Sequence, residues 1–149
     1  MSVLAATRPD SWNFPLLLHV AGAMVLVGAA ATGSICSLAG SRDADAAWLR
    51  RVAFYSFLLV ALPAYLVMRI GAEWLYSKEF GETASDPTWI DVGYLTADLG
   101  ALILLLTLVA SGLAVRRGSR GLTRVAGVLS AVAVVGWLVA VWAMGGKPG

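Results

Sequence analysis

Four long apolar stretches alternate with short polar segments along the 149-residue chain. The stretches cover residues 14–39, 52–74, 92–115 and 125–144, and each is long enough as a helix to cross the hydrocarbon core of a bilayer. A helix satisfies its own backbone hydrogen bonds, which a segment surrounded by lipid must do. The pattern therefore predicts an all-α, polytopic membrane protein whose four transmembrane helices form a single domain over residues 1–149.

Lysine and arginine are unevenly distributed among the polar segments. Seven arginines lie in the first and third connections between the stretches, at Arg42, Arg50, Arg51, Arg116, Arg117, Arg120 and Arg124. The termini and the longest connection, residues 75–90, hold only Arg8, Lys78 and Lys147. Because cytoplasmic loops are enriched in lysine and arginine, we expect an up-down bundle in a bacterial plasma (inner) membrane, with both termini and the 75–90 loop outside.

The composition agrees with a membrane protein, because 59% of the residues are hydrophobic and only 13% are charged, against about 25% charged in soluble domains. The net charge of +2 comes from arginines that act as topology signals, so it does not indicate nucleic-acid binding. The lone cysteine, Cys36, lies within the first stretch. A single thiol excludes an intramolecular disulfide, a CxxC redox pair and a multi-cysteine metal site.

Pro63 lies inside the second apolar stretch. Proline has no amide hydrogen, and its ring crowds the carbonyl group one turn earlier. Neighbouring helices can cover the carbonyl that this frees. We therefore expect the second helix to bend at Pro63 and to continue beyond it.

Three of the stretches carry an ionisable side chain near the same predicted end: His19 in the first, Arg69 in the second and Asp98 in the third. At a rise of about 1.5 Å per residue, the three lie at similar depths. An unpaired charge in hydrocarbon costs at least ~2.5 kcal/mol. The positions therefore predict an ion pair between Arg69 and Asp98 that fixes the register of the second and third helices.

Helical spacing adds further polar residues to this layer. Residues three or four apart share a helix face, and two such faces carry Tyr65, Arg69 and Glu73 on the second helix, and Asp91, Tyr94 and Asp98 on the third. We expect these two faces to lie opposite each other. Glu73 and Asp91 lie nearest the interface, where they are expected to be solvated rim residues.

His19 is the only histidine of the chain, and two interpretations of it stay open. In the first, a neutral imidazole donates a hydrogen bond to a neighbouring carbonyl group or to Asp98. In the second, it is a ligand or a proton relay, as ionisable residues inside membranes often are. Haem ligation by two histidines of one chain is excluded, and no metal site is predicted beyond His19 as the only candidate ligand.

Small residues form faces on the first and fourth helices that allow backbones to approach closely. Their members are Gly28, Ala29, Thr32 and Gly33 on the first helix, and Gly127, Ala131, Gly136 and Ala140 on the fourth. Tryptophans near the predicted span ends, among them Trp74, Trp137 and Trp142, are expected to anchor the helices at the membrane interfaces.

The run LLLHVAGAMVLVG at residues 16–28 resembles the opening helix of small uncharacterised bacterial four-helix integral membrane proteins. It more remotely resembles the first, histidine-bearing helix of copper-resistance D-type and HemJ-type membrane proteins. The runs LPAYLVMRIGAEWLYSKE and DPTWIDVGYLTAD, at residues 62–79 and 86–98, are similar to a subgroup of the same bacterial proteins. The first resemblance implies four spans, and the remote one implies haem or copper handling, with His19 as the only residue carried over.

No common enzyme signature is present in the sequence: there is no GxSxG, HExxH or Walker A pattern. Ser34 and Cys36 lie in the other half of the first helix from His19, too far in depth for a nucleophile and its base. The sequence therefore predicts a protein that is not an enzyme.

Two functions fit these observations. The favoured one is an accessory or structural membrane subunit that assembles with itself or with other membrane proteins, with Arg69 and Asp98 holding its own helices together. The alternative is an outward-facing polar cavity between helices one, two and three, lined by His19, Arg69 and Asp98. Such a cavity would bind or transport a small molecule, ion, proton, quinone or haem.

Overall fold

The computed structural model describes residues 10–43, 45–79 and 88–146, and almost all of them are helical. Helix α1 is Asn13–Arg42 and follows a short 3₁₀ turn at Asp10–Trp12. Helix α2 covers residues 47–79, α3 is Thr88–Arg117 and α4 is Arg120–Gly146. Each of the four contains a segment long and apolar enough to cross a membrane. This confirms the predicted all-α fold with four candidate membrane spans.

The helices extend beyond the predicted apolar spans. Polar residues at the span ends also form helical backbone hydrogen bonds, so each helix is longer than its apolar stretch. The largest difference concerns the loop expected at residues 75–90. Helix α2 continues to Glu79 and α3 already begins at Thr88. Both ends of the expected loop are thus helical, and residues 80–87 lie outside the described residues.

Helix α2 changes its winding just before Pro63. It is α-helical over Ala47–Tyr55, π-helical over Ser56–Ala61 and α-helical again over Leu62–Glu79. The backbone amide of Leu62 donates to the carbonyl of Phe57, five residues earlier. The wider π turn accommodates a ring that crowds the preceding carbonyl and supplies no donor of its own. The expectation that the helix continues through Pro63 is confirmed. The proline changes the local winding from an α-helix to a π-helix.

Helix α1 packs against α2 and α4 along its length, and α4 packs in turn against α3. The pairing of α2 with α3 is uneven. The first part of α2, Ala47–Tyr55, lies close to α3, whereas the backbone of the last part, Leu62–Glu79, hardly approaches it. Near the start of α1, contact between the last part of α2 and the first part of α3 therefore depends on long side chains.

Glycines allow the closest helix contacts. A Cβ at Gly22 of α1 would come 2.6 Å from the backbone nitrogen of Met68 on α2, so the two backbones touch at this point. Gly33 receives the ring of the fully buried Phe57, and Gly127 of α4 lies against Leu38 of α1. Gly33 and Gly127, from the small-residue faces of α1 and α4, thus serve packing within the chain, consistent with the close approach that such residues permit.

Serine hydroxyls form hydrogen bonds between α1 and its two neighbours. The Ser34 hydroxyl donates to the carbonyl of Gly127 at 2.8 Å, and the Ser130 hydroxyl donates in the opposite direction to the carbonyl of Ala30 at 2.9 Å. On the other side, the Ser56 hydroxyl donates to the carbonyl of Ala29 at 2.8 Å. The two bonds between α1 and α4 are buried, where no water competes for the carbonyl groups, and the Ser56 bond is partly buried.

Arg50 differs from the other arginines of the connections because it is buried. Its Nη1 donates to the carbonyl of Gly40 at 3.4 Å, in the last turns of α1. Carbonyl groups at a helix end have no partner within the helix, and a cation there is favourable. One of the seven arginines that the sequence presents as topology signals therefore also stabilises the end of α1.

The outward surface of the helices is strongly apolar. More than half of the residue surface is exposed at five large apolar residues spread over all four helices: Met24, Ile35, Leu59, Leu105 and Val135. Such a surface suits contact with lipid chains and would be unusual for a chain surrounded by water.

Candidate functional site

Arg69 is the centre of a polar cluster between α2 and α3. Its Nε lies 3.2 Å from Oε1 of Glu73, one turn further along α2, and its Nη2 lies 3.2 Å from Oδ1 of Asp98 on α3. The guanidinium carbon also lies 4.7 Å from the centre of the Tyr94 ring, within cation–π distance. The predicted pairing of Arg69 with Asp98 is therefore present.

Two tyrosines complete the cluster. The Tyr94 hydroxyl on α3 donates to Oε2 of Glu73 on α2 at 3.2 Å. The Tyr65 hydroxyl on α2 donates to the carbonyl of Ala97 on α3 at 3.3 Å. Together with the Arg69 to Asp98 contact, these bonds connect α2 to α3 in the region where their backbones stay apart.

The cluster is arranged with its positive charge inside and its negative charges outside. The Arg69 side chain is 27% exposed, whereas Glu73 is 51% and Asp98 is 64% exposed. With one guanidinium and two carboxylates, the fully ionised cluster carries an excess negative charge. That charge lies on the outer surface of the α2–α3 pair.

Asp91 is not part of this cluster. It is exposed, and it makes no ion pair or hydrogen bond with a residue that the structure describes. It lies one turn before Tyr94, on the face that helical spacing predicts, but closer to the end of α3. The structure therefore brings together Tyr65, Arg69, Glu73, Tyr94 and Asp98 from the predicted set and leaves Asp91 aside.

His19 is held by a close contact between α1 and α2. Its Nδ1 lies 3.2 Å from the carbonyl oxygen of Met68, not near Asp98. Because a carbonyl group only accepts, this bond requires a proton on Nδ1, and in the neutral form of the imidazole it leaves Nε2 as an acceptor. Of the partners considered from the sequence for a donating His19, the structure selects the neighbouring carbonyl.

A partly open cavity of about 80 Å³ lies between the helices behind the Arg69 cluster. All four helices contribute to its wall, which is mostly apolar and includes His19, Met68, Arg69, Tyr94, Trp137 and Ala140. The sequence predicted a polar cavity between the first three helices. This cavity differs from that expectation in three respects: its wall is mostly apolar, α4 supplies part of the wall, and Asp98 does not line it. Asp98 contacts the guanidinium of Arg69, which is itself a lining residue.

Trp137 is a member of this site that the sequence did not reveal. It was expected at a membrane interface, but it is 95% buried, with 5% of its surface exposed, and its indole nitrogen lies over Gly100 of α3. Among the described residues, Nε1 has no hydrogen-bond partner. Trp142, five residues later, is exposed as an anchor would be. The space for Trp137 comes from a glycine on another helix, and a contact between two helices does not appear as a repeating pattern in the sequence.

The site residues do not fit the groups that the remote resemblance implies. A cavity of about 80 Å³ is smaller than the 150 Å³ or so that accommodates benzene, and a porphyrin is far larger. Copper requires several nitrogen or sulfur ligands, and the cavity wall contains only His19 and Met68 as residues of this kind, with no cysteine. Within the described residues, no three His, Cys, Asp or Glu side chains lie together in a way that could hold a metal ion.

No protein-family model matches the sequence, and no curated protein or solved structure matches the chain.

Proposed function

We propose that this protein is a small, non-enzymatic integral membrane protein that serves as an accessory or structural subunit, assembling with itself or with other membrane proteins. Its helices form an up-down bundle in a bacterial inner membrane, with both termini and the connection around residues 75–90 outside. The arginine-rich connections support this orientation, because they are expected on the cytoplasmic side. The four apolar helices support the membrane location.

The exposed carboxylate of Asp98 is the observation that carries the proposal. The candidate span of α3 runs over Asp91–Arg117, 27 residues, or about 40 Å. A hydrocarbon core of about 30 Å centred on it leaves about 5 Å at each end. Asp98 lies about 10 Å beyond Asp91 along the helix, and therefore about 5 Å inside the hydrocarbon.

A carboxylate at that depth is unfavourable when it faces lipid. Arg69 compensates for part of the cost, but Asp98 keeps 64% of its side chain exposed, and Glu73 beside it is 51% exposed. A neighbouring transmembrane helix that offers a hydrogen-bond donor or a positive charge would cover both groups. We assign this surface, formed by Arg69, Glu73, Tyr94 and Asp98 and called here the α2–α3 face, to assembly.

The alternative assembly surfaces are less available. Gly33 and Gly127 already pack against side chains of the same chain. Gly28 and Thr32 of α1 remain exposed, but the Thr32 hydroxyl donates to the carbonyl of Gly28 at 2.8 Å and needs no partner. The non-enzymatic role is supported by Ser34, whose hydroxyl is committed to the carbonyl of Gly127 and is not free to act as a nucleophile.

Native mass spectrometry of the protein extracted from its own membrane in a mild detergent tests this proposal. We expect the wild type to be released in a complex heavier than the monomer. Asp98→Leu, which makes the α2–α3 face apolar at this position, should release mainly the monomer. Asp91→Asn is the matched control, because it neutralises an exposed acid of the same helix outside the cluster, and it should keep the complex. A wild type that is monomeric, or a complex unaffected by Asp98→Leu, would contradict the assignment.

A further inference from the structure

The cavity behind Arg69 contains an unused hydrogen-bond acceptor. His19 lines the cavity, and its Nδ1 is engaged with the Met68 carbonyl, so that Nε2 presents a lone pair. No residue that the structure describes donates to Nε2. Trp137 lines the same cavity and contributes a buried indole nitrogen that also has no partner in the described part of the chain. Buried polar groups in proteins are almost always paired. The unpaired buried indole nitrogen of Trp137 and the unpaired Nε2 of the partly exposed His19, two residues that line one cavity, point to an occupant.

The charges around the cavity select an uncharged occupant. Arg69 repels a cation from the wall, while its own charge is already balanced by Glu73 and Asp98, each at 3.2 Å. An anion would therefore find no free positive charge in the cavity. A charged group would also lose its hydration against a wall that is otherwise apolar.

The size and the walls of the cavity define the rest of the occupant. The cavity volume of about 80 Å³ is larger than the volume that one water molecule needs. It is about half the volume of a cavity that accepts benzene. It therefore accepts a few carbon atoms with one polar group. Since the cavity is partly open, the remainder of a longer molecule can extend out of it. The polar group must donate a hydrogen to reach Nε2 of His19, and a hydroxyl group does so without carrying charge.

We propose that this cavity binds the hydroxyl-bearing end of an uncharged, lipid-soluble alcohol, with the hydroxyl donating to Nε2 of His19 and the carbon chain packed on the apolar wall. The site lies inside the bundle, behind Arg69, and is distinct from the α2–α3 face proposed for assembly. Binding in the cavity therefore does not depend on the protein being part of a complex.

The single histidine makes the proposal directly testable by nitrogen NMR. Protein labelled with ¹⁵N-histidine gives resonances from His19 alone, and in the free protein they should show a neutral ring protonated at Nδ1. The probe is 1-butanol, and the matched probe is diethyl ether, an isomer with the same atoms that accepts but cannot donate a hydrogen bond. We expect 1-butanol to shift the Nε2 resonance saturably, and the ether to bind at least about fivefold more weakly, as the loss of one hydrogen bond predicts.

A cavity-filling variant locates the binding. Ala140→Leu adds apolar bulk to the wall without touching the imidazole and should weaken the 1-butanol response at least tenfold. Ala21→Leu adds the same bulk on the exposed side of α1, outside the cavity, and should leave the response unchanged. Equal responses to the alcohol and the ether in the wild type, no response to either, or an unchanged response in folded Ala140→Leu would each overturn the proposal. The comparison of the two probes needs no variant, so it decides the matter even if Ala140→Leu does not fold.

Discussion

Gly71 of α2 lies directly against the backbone of His19 on α1: a Cβ at position 71 would come 2.5 Å from the His19 backbone nitrogen and 2.9 Å from the carbonyl oxygen of Pro15. One helical turn further into the bundle, Gly22 of α1 makes the reciprocal contact with the backbone of Met68. The two glycines let the helix backbones touch, and this contact brings Nδ1 of His19 to the Met68 carbonyl. The position of the His19 imidazole therefore depends on the absence of a side chain at Gly22 and Gly71.

Gly71→Ala should destabilise the protein. Alanine is intrinsically better in a helix than glycine by about 1 kcal/mol, but here the new methyl group meets backbone atoms that cannot move aside, and such overpacking costs about 1–3 kcal/mol. Gly28→Ala is the matched control on α1, because nothing lies within 4 Å of the added Cβ, and it should stabilise by up to about 1 kcal/mol. The free energy of unfolding in mixed detergent micelles measures both, and a Gly71→Ala protein as stable as Gly28→Ala would contradict the close contact.

The ion pair between Arg69 and Asp98 should appear as a coupling energy. A double-mutant cycle with Arg69→Gln and Asp98→Asn isolates the interaction of the two side chains from their separate effects. Asp98 lies only about 5 Å inside the hydrocarbon and on the outer side of the pair. Water and headgroups at the nearby interface therefore still screen the interaction in part, and we expect a coupling of about 0.5–1 kcal/mol. The cycle of Arg69→Gln with Asp91→Asn uses an acid outside the cluster and should show none. Equal couplings in the two cycles would mean that Arg69 responds to general charge and not to Asp98.

The reciprocal serine bonds between α1 and α4 should both contribute to stability. Ser34→Ala and Ser130→Ala each remove one buried donor, and bonds between membrane helices are worth about 0.6 kcal/mol on average and at most about 1.7. Ser77→Ala is the control, since this exposed hydroxyl donates only to the carbonyl of Trp74 in its own helix. It should leave the unfolding free energy unchanged. Stability losses equal to that of Ser77→Ala would show that the two buried bonds are not important for the packing of α1 on α4.

The sequence predicted those features that depend on period and depth. The four spans follow from unbroken apolar runs, and the pairing of Arg69 with Asp98 follows from two charges at one depth that must avoid lipid. The continuation of α2 through Pro63 follows from the apolar residues on either side of it. Each of these rests on a property that is local along the chain or that repeats with the helix.

The features that the sequence did not reveal depend on which helices are neighbours. Trp137 lies in the wall of the cavity because Gly100 of another helix leaves room for its ring. Ser34 finds its acceptor on α4, although the sequence only offers it as an unlikely nucleophile. Apolar faces on all sides of each helix fit several arrangements equally well, so the order of packing, and with it the contribution of α4 to the cavity, is decided by the fit of individual side chains.

The distance between the last part of α2 and the first part of α3 tests the central claim most directly, namely that the Arg69 cluster joins two helices whose backbones do not pack together. Spin labels at Ile70 and Leu99, both exposed, can be attached after replacement of the partly exposed Cys36 by alanine. Double electron–electron resonance in nanodiscs should give a narrow distance distribution in otherwise wild-type protein, and a longer and broader one after Arg69→Gln. A distribution that Arg69→Gln leaves unchanged would show that the two helices are held by other contacts and would contradict the account.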